Sequence, residues 1–224
     1  MCGVRRSERQ PANGERRTAM RILIVAATQA EVAPLAIGAR AARDLDILTT
    51  GVGMVATAAH TSRALAHKDY DLALNVGVCG SFDRGLVSGT VVHVVTDRIA
   101  ELGAEDGDSF LTIDEMQLPA ESTFVNLAPP AIDALRGLPV VSAITVNTVH
   151  GNDRSIAAVV ERFKPQVESM EGAAFMCACL INGVAFAQVR AVSNVVERRN
   201  LAAWRMSEAI DSLAEATRRI IERA

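Results

Sequence analysis

Residues 184–196 read VAFAQVRAVSNVV, a run of strand length that stays apolar almost to its end and then stops on Ser193 and Asn194. A strand apolar on both faces has to be covered on both faces, which is the condition of a sheet lying between two layers of helix. The end of such a strand is where α/β proteins bind small molecules, so the Asn194 amide is a first candidate for ligand contact.

The same pattern extends outward along the chain. RILIVAA (21–27), LDILTTG (45–51), DLALNVGV (71–78), TVVHVVTD (90–97) and PVVSAITV (139–146) are further apolar runs of strand length. Helical periodicity falls near 53–67, 153–163, 171–182 and 205–223. This alternation predicts an α/β fold, a three-layer α/β/α sandwich around a central twisted mixed β-sheet. With 224 residues, about half of them apolar, the chain can bury one sizeable core. The Arg-rich residues 1–19 carry no apolar run and are expected to be a disordered leader, leaving 20–224 as one domain. One segment departs from the rhythm: 98–130 is polar, acidic and broken by Gly and Pro, and is expected to be a long excursion over a binding face.

Charge and composition exclude several classes of partner. A net charge of −3 with scattered Arg and Lys offers no basic stripe for nucleic acid. There is no secretion-signal pattern and no run of roughly 18 apolar residues, so no membrane partner is expected and the location is expected to be cytoplasmic. Cys2, Cys79, Cys177 and Cys179 form no CxxC pair, and His60, His67, His93 and His150 lie far apart. The cysteines read as small buried hydrophobes, with no metal site expected.

Four stretches can carry chemistry. TTGVGMVATAA (49–59) holds Gly51, Gly53 and Ala56 in the spacing that brings a helix N-terminus to a pyrophosphate, although Asp69 and Asp71 precede the next strand instead of ending it. A tight turn with close helix packing accounts for the same glycines. In NVGVCGSF (75–82), Gly77 and Gly80 allow either a close backbone approach to a ligand or an ordinary strand-end turn. In VESMEGAAF (167–175), Glu168 and Glu171 lead into an apolar helix; Glu168 reads as a cap complementing the helix dipole. Glu171, followed by Gly172 and Ala173, is placed to accept hydrogen bonds from ligand hydroxyls. ATQAEVAPL (27–35) sets Glu31 just after the first strand, as a solvated helix start or as part of a site.

Taken together and in order, AATQAEVAPL, TTGVGMVATAA, NVGVCGSF, VESMEGAAF and VAFAQVRAVSN resemble the purine nucleoside phosphorylase and nucleosidase superfamily, in its methylthioadenosine/S-adenosylhomocysteine nucleosidase branch. The resemblance covers essentially all of 20–224 and implies a phosphorylase/hydrolase-like fold. ELGAEDGDSFL (101–111), TVNTVHG (145–151) and SNVVERRNLAAW (193–204) look most like the futalosine hydrolase family, which acts in the alternative menaquinone pathway. By position, the resemblance implies that Glu31 activates water, Met170 packs on the ribose and Glu171 holds the ribose hydroxyls. Val78, Cys79 and Gly80 fall beside base and ribose, and Thr148 and Val149 near the base. Asn194 stands where the nucleosidases place an aspartate, which puts adenine as leaving base in doubt.

The implied reaction is N-glycosidic cleavage through an oxocarbenium-like transition state, needing a held nucleophile, gripped hydroxyls and dispersal of charge on the departing base. Glu31, Glu171 and Asn194 match these needs, and no cofactor is called for. Phosphorylases of this fold hold phosphate with an arginine and a serine where this chain has Asn75 and Val78, with no arginine in that turn, so water is the expected nucleophile. The segment 98–130 and the stretch with Arg199, Asn200 and Trp204 are expected to cover the substrate's tail. A nucleoside binder without catalysis and a dinucleotide-dependent oxidoreductase are the competing classes. The superfamily also implies a homo-oligomer.

Overall fold

The computed structural model describes residues 20–36 and 44–224, and the leader expected over 1–19 lies outside them. In chain order the elements are β1 (Ile22–Ala26), α1 (Gln29–Ala36), β2 (Leu45–Thr49), α2 (Met54–His67), β3 (Leu72–Ser81), β4 (Val91–Ile99), β5 (Gly103–Asp106), β6 (Ser109–Thr112) and β7 (Thr123–Val125). There follow α3 (Asp133–Arg136), β8 (Val140–Thr145), α4 (Asp153–Phe163), β9 (Val167–Ser169), α5 (Gly172–Asn182), β10 (Phe186–Val195), a 3-10 turn (Leu201–Ala203) and α6 (Met206–Glu222).

The three layers follow from the alternation of side chains along β1, all five of whose residues are buried. Ile22, Ile24 and Ala26 pack against Val32 and Leu35 of α1 and Leu213 and Ile220 of α6. Leu23 and Val25, on the opposite face, pack against Leu65 of α2 and Phe175, Met176 and Cys179 of α5. Each fully buried Leu or Ile contributes about 1.5–3 kcal/mol of transfer free energy, so a strand this short is held by serving two cores at once. No helix among the described residues is long and apolar enough to cross a membrane.

The sheet is mixed and has eight strands. β2, β1, β3 and β10 run parallel in neighbouring pairs. β10 then pairs antiparallel with β4, β4 parallel with β8, β8 parallel with β9, and β9 antiparallel with β3. The strands β3, β10, β4, β8 and β9 therefore close a ring. Its interior is filled by Cys79, Val92, Val94, Val141, Ala143, Val167 and Val192, at least one from every strand of the ring.

Two expectations are corrected. Residues 98–130 are not an irregular excursion: β5 and β6 form a hairpin with Gly103 opposite Thr112, and β7 pairs with β4. These strands have three or four residues and acidic flanks, too few side chains to show a period. The hairpin is fastened by the Arg162 guanidinium lying 4.3 Å over the Phe110 ring. Glu168 does not cap a helix; it lies in β9, all three of whose residues are buried.

Candidate active site

The carboxyl ends of the parallel strands β1, β3 and β10 meet β9 and the start of α5 around a cavity of about 300 Å³. Such a confluence of strand ends is where an open α/β sheet leaves room for a ligand.

Glu31 stands in the first turn of α1 and is 6% exposed. Its Oε2 accepts from the Thr28 N–H at 2.8 Å and the Thr28 hydroxyl at 2.9 Å, so the carboxylate turns back on the helix start as in a capping box. Among the described residues, its Oε1 accepts the Val78 N–H alone, at 3.2 Å. One oxygen is thereby anchored and the other keeps a lone pair for a further donor.

Glu171 occupies the position preceding α5 but makes no side-chain cap to that helix. Its Oε1 accepts the Gly53 N–H at 3.1 Å, and its Oε2 lies 3.7 Å from Arg190 Nη1. The glycine turn at 51–53, with φ of +89° at Gly51 and +102° at Gly53, thus delivers a backbone donor to this carboxylate. Arg190 itself is 1% exposed and donates from Nη2 to Asn75 Oδ1 at 2.5 Å. A Cβ on Gly77 would overlap Arg190 Nη1 and lie 2.9 Å from Glu31 Oε1, so the missing side chain is what admits the guanidinium between the two carboxylates.

Asn194 reaches the cavity through an irregularity in β10. Val192 pairs with Cys79 and Asn194 with Gly80, leaving Ser193 as an extra residue, and this shift turns Asn194 to the face that Gly80 presents. The amide is fixed by its neighbours: Ser193 Oγ donates to Oδ1 at 2.8 Å and Nδ2 donates to the Val195 carbonyl at 2.9 Å. The second Nδ2 hydrogen remains for a ligand.

A model of the Phosphorylase superfamily matches residues 37–224. A futalosine hydrolase of Thermus thermophilus is 34% identical over 180 residues, covering 78% of this chain and 80% of that protein. A futalosine hydrolase of Streptomyces coelicolor is 34% identical over 183 residues, covering 76% of each. The chain belongs to the futalosine hydrolase family of the phosphorylase superfamily. Among solved structures, the futalosine hydrolase of Helicobacter pylori superposes with a TM-score of 0.80 at 14% identity, over 92% of this chain and 99% of that one. A methylthioadenosine/S-adenosylhomocysteine nucleosidase of Colwellia psychrerythraea, in complex with adenine, superposes at 0.74 with 21% identity, over 92% and 96%. At these identities the superpositions speak for the fold.

For a member of the futalosine hydrolase family, the cavity gathers nearly all the residues singled out in the sequence: Glu31, Val78, Cys79, Gly80, Val149, Met170, Glu171, Asn194 and Trp204 line it. Thr148 does not. Its side chain is exposed, and its N–H is held at 3.3 Å by Glu101 from the end of β4, which turns the residue outward. Cys79 is a buried thiol whose pKa burial pushes up to about 12, so it stays protonated and offers no thiolate. The 98–130 segment contributes nothing to this wall; its hairpin borders a separate cavity of about 570 Å³ with α4. Trp204 does line the wall, with the Arg199 guanidinium 5.7 Å from its ring centre, beside Val52, Met206 and Ile210.

Three residues were not placed in the site by the sequence. Arg190 was visible as a lone cation inside an apolar strand, a signal that calls for a buried partner. Glu168 and His150 gave no such signal, since their pairing joins β9 to the loop before α4: Glu168 Oε1 accepts the His150 N–H at 3.1 Å, and His150 Nδ1 lies 2.6 Å from Oε2. Both border the cavity.

Proposed function

We propose that the protein hydrolyses the N-glycosidic bond of futalosine, releasing hypoxanthine and the dehypoxanthine product. The observation that carries this reading is one cavity holding Glu31 with a free Oε1 lone pair, Glu171 beside it, and an asparagine, Asn194, at the strand end. As the C–N bond stretches, the ribose gains positive charge and the purine gains negative charge. Glu31 takes a proton from the attacking water, Glu171 accepts hydrogen bonds from the ribose hydroxyls, and Met170 packs on the sugar. The Asn194 NH₂ donates toward the purine as its charge develops.

Water fits this site better than phosphate. The Val78 side chain has no donor for a phosphate oxygen, and Arg190 is buried and does not line the cavity, so its fork is not presented to an anion there. The carboxylates of Glu31, Glu168 and Glu171 around the cavity oppose an incoming dianion. Beyond the sugar, Trp204 and Arg199 with Val52, Met206 and Ile210 form an apolar wall with one cation, matching a substrate tail that carries an aromatic carboxylate. Cytoplasmic location and homo-oligomeric assembly belong to the same proposal; sedimentation tests the second.

The second reading, a methylthioadenosine/S-adenosylhomocysteine nucleosidase, is favoured by the fold shared with those enzymes. The two separate in one assay. Futalosine, methylthioadenosine, S-adenosylhomocysteine and inosine are each incubated with the protein, with and without phosphate, and the released base is identified. Hypoxanthine released from futalosine at a rate indifferent to phosphate is the expected result. Faster release of adenine from methylthioadenosine, or a rate that requires phosphate, would overturn the assignment.

A further inference from the structure

The helix behind Glu171 is capped by residues other than Glu171. A side chain at the N-cap position ordinarily turns back to accept from the second or third helical N–H. Glu171 holds that position and makes no such bond to α5. The second N–H of the helix, that of Ala173, donates instead to Thr145 Oγ1 at 2.8 Å, and the first, that of Gly172, meets Ser169 Oγ at 3.4 Å. Thr145 ends β8, Ser169 ends β9, and the two are paired in the sheet, so neighbouring strands bring both hydroxyls to the helix start.

The Thr145 hydroxyl is held in one orientation. Its single proton goes to Asp97 Oδ1 at 2.8 Å, which leaves its lone pairs for the Ala173 N–H. Asp97 Oδ2 in turn accepts from Gln188 Nε2 at 2.9 Å. Thr145, Asp97 and Gln188 are all fully buried, and the cavity wall includes none of the three. A Cβ on Gly172 would overlap Asp97 Oδ2 and Gln188 Nε2, so the missing side chain is what lets the helix start settle onto this chain of bonds.

We propose that Thr145, oriented by Asp97, is a positioning residue: by capping α5 in place of Glu171, it leaves the Glu171 carboxylate free to face the ribose. The inference rests on the hydrolase reading and deepens it by naming what keeps the ribose-holding group in the cavity. Without the hydroxyl, the Ala173 N–H becomes a buried donor with no acceptor, a costly state. The charged side chain at the N-cap position is the group placed to relieve it. Glu171 then turns from Gly53 and the cavity toward its own helix, and the grip on the sugar is lost. A Thr145 that merely anchored the helix would affect stability and leave sugar recognition alone.

The test compares the full-length protein with Thr145→Val, which keeps the shape without the hydroxyl, and Thr145→Ser, which keeps the hydroxyl. It measures binding of 9-deazainosine, whose C–C glycosidic bond is not cleaved, and of its 2′-deoxy form, together with kcat/KM for futalosine and its 2′-deoxyribose counterpart. The wild type is expected to prefer ribose by about 10- to 150-fold, the range of one hydrogen bond to a charged group. In Thr145→Val the preference should shrink to within about threefold of none, and in Thr145→Ser it should stay within about threefold of the wild type. In a Glu171→Gln background, Thr145→Val should alter the preference by less than about threefold, because the group it acts through is already gone. A ribose preference that survives in Thr145→Val, or is lost equally in Thr145→Ser, would overturn the inference, as would a full effect in the Glu171→Gln background. If Thr145→Val does not fold, Thr145→Cys against Thr145→Ser makes the same comparison at nearly equal size. Wild-type protein that binds both analogues alike overturns the inference with no variant at all. A ribose preference that depends on Thr145 in a protein that cleaves neither nucleoside removes the hydrolase reading and leaves this inference standing. Protein that cleaves futalosine but keeps its ribose preference in Thr145→Val does the reverse.

Discussion

Glu31→Gln changes one oxygen to an NH₂ and almost nothing in shape, yet the structure gives it two separable costs. Three donors converge on the carboxylate: the Thr28 N–H and hydroxyl on Oε2, and the Val78 N–H on Oε1. The amide has one oxygen. Facing Thr28 it satisfies two donors and sets its NH₂ against the Val78 N–H; facing Val78 it sets the NH₂ against both Thr28 donors. The first orientation loses less and orphans one buried backbone donor, at about 1–3 kcal/mol. For a chain of this size each kcal/mol lowers the melting midpoint by roughly 2–4 °C, so a fall of about 2–12 °C is expected. The catalytic cost is larger. The NH₂ occupies the Oε1 position and takes no proton from water, and loss of a general base lowers kcat by about 10²–10⁴-fold, or roughly 3–5.5 kcal/mol of barrier. Hypoxanthine release is followed well below the variant's melting midpoint, so that unfolding does not pass for lost catalysis. KM should change by less than about threefold, as neither sugar nor base contacts are touched. More than about a tenth of the wild-type rate would refute the base assignment, and an unchanged melting midpoint would refute the orphaned-donor argument.

Glu171→Gln should lower kcat and raise KM together, because the carboxylate that meets Gly53 and Arg190 is also the one proposed to hold the ribose; equal discrimination between ribose and 2′-deoxyribose substrates before and after the change would count against that role. Asn194→Asp replaces the NH₂ that donates to the Val195 carbonyl with a group that donates only when protonated, so activity on the hypoxanthine nucleoside should fall. The relative rate on adenine nucleosides should rise by about tenfold or more, and an unchanged ratio would dismiss Asn194 as a base contact. Burial raises the Asp97 pKa from 3.8 to about 6, against hydrogen bonds from Gln188 and Thr145 that pull it down. A raised carboxylate binds a proton more tightly in the folded state, so its contribution to stability is complete below about pH 4 and is lost as the pH rises to about 6. The urea midpoint of Asp97→Asn should lack this decline; the same pH slope in both proteins between pH 4 and 6 would refute the linkage.

The order of strands and helices was legible because it is written in local periods. Every apolar run quoted from the sequence became a strand of the main sheet, and helices α2, α4, α5 and α6 begin and end within a residue or so of their periodic segments. Burial on both faces of β1 is a property of five consecutive side chains, and the three layers follow from it. Glu31 and Asn194 were singled out because each sits at the end of such a run, and Glu171 because it opens a helical segment.

What the chain alone did not disclose is what lies beside what. Gly77 and Arg190 are 113 positions apart, yet the register of β3 with β10 places them opposite each other and sets the guanidinium between two carboxylates. Glu168 reads locally as a helix cap, and only the pairing of β9 with β3 carries it to Gly80 and to His150. A single extra residue at Ser193 decides which face Asn194 presents, since strand side chains alternate and a one-residue shift exchanges the two faces. Periods are local and survive in a string of letters. Strand register and ring closure are settled by how distant surfaces pack, and the geometry of the site is made of those.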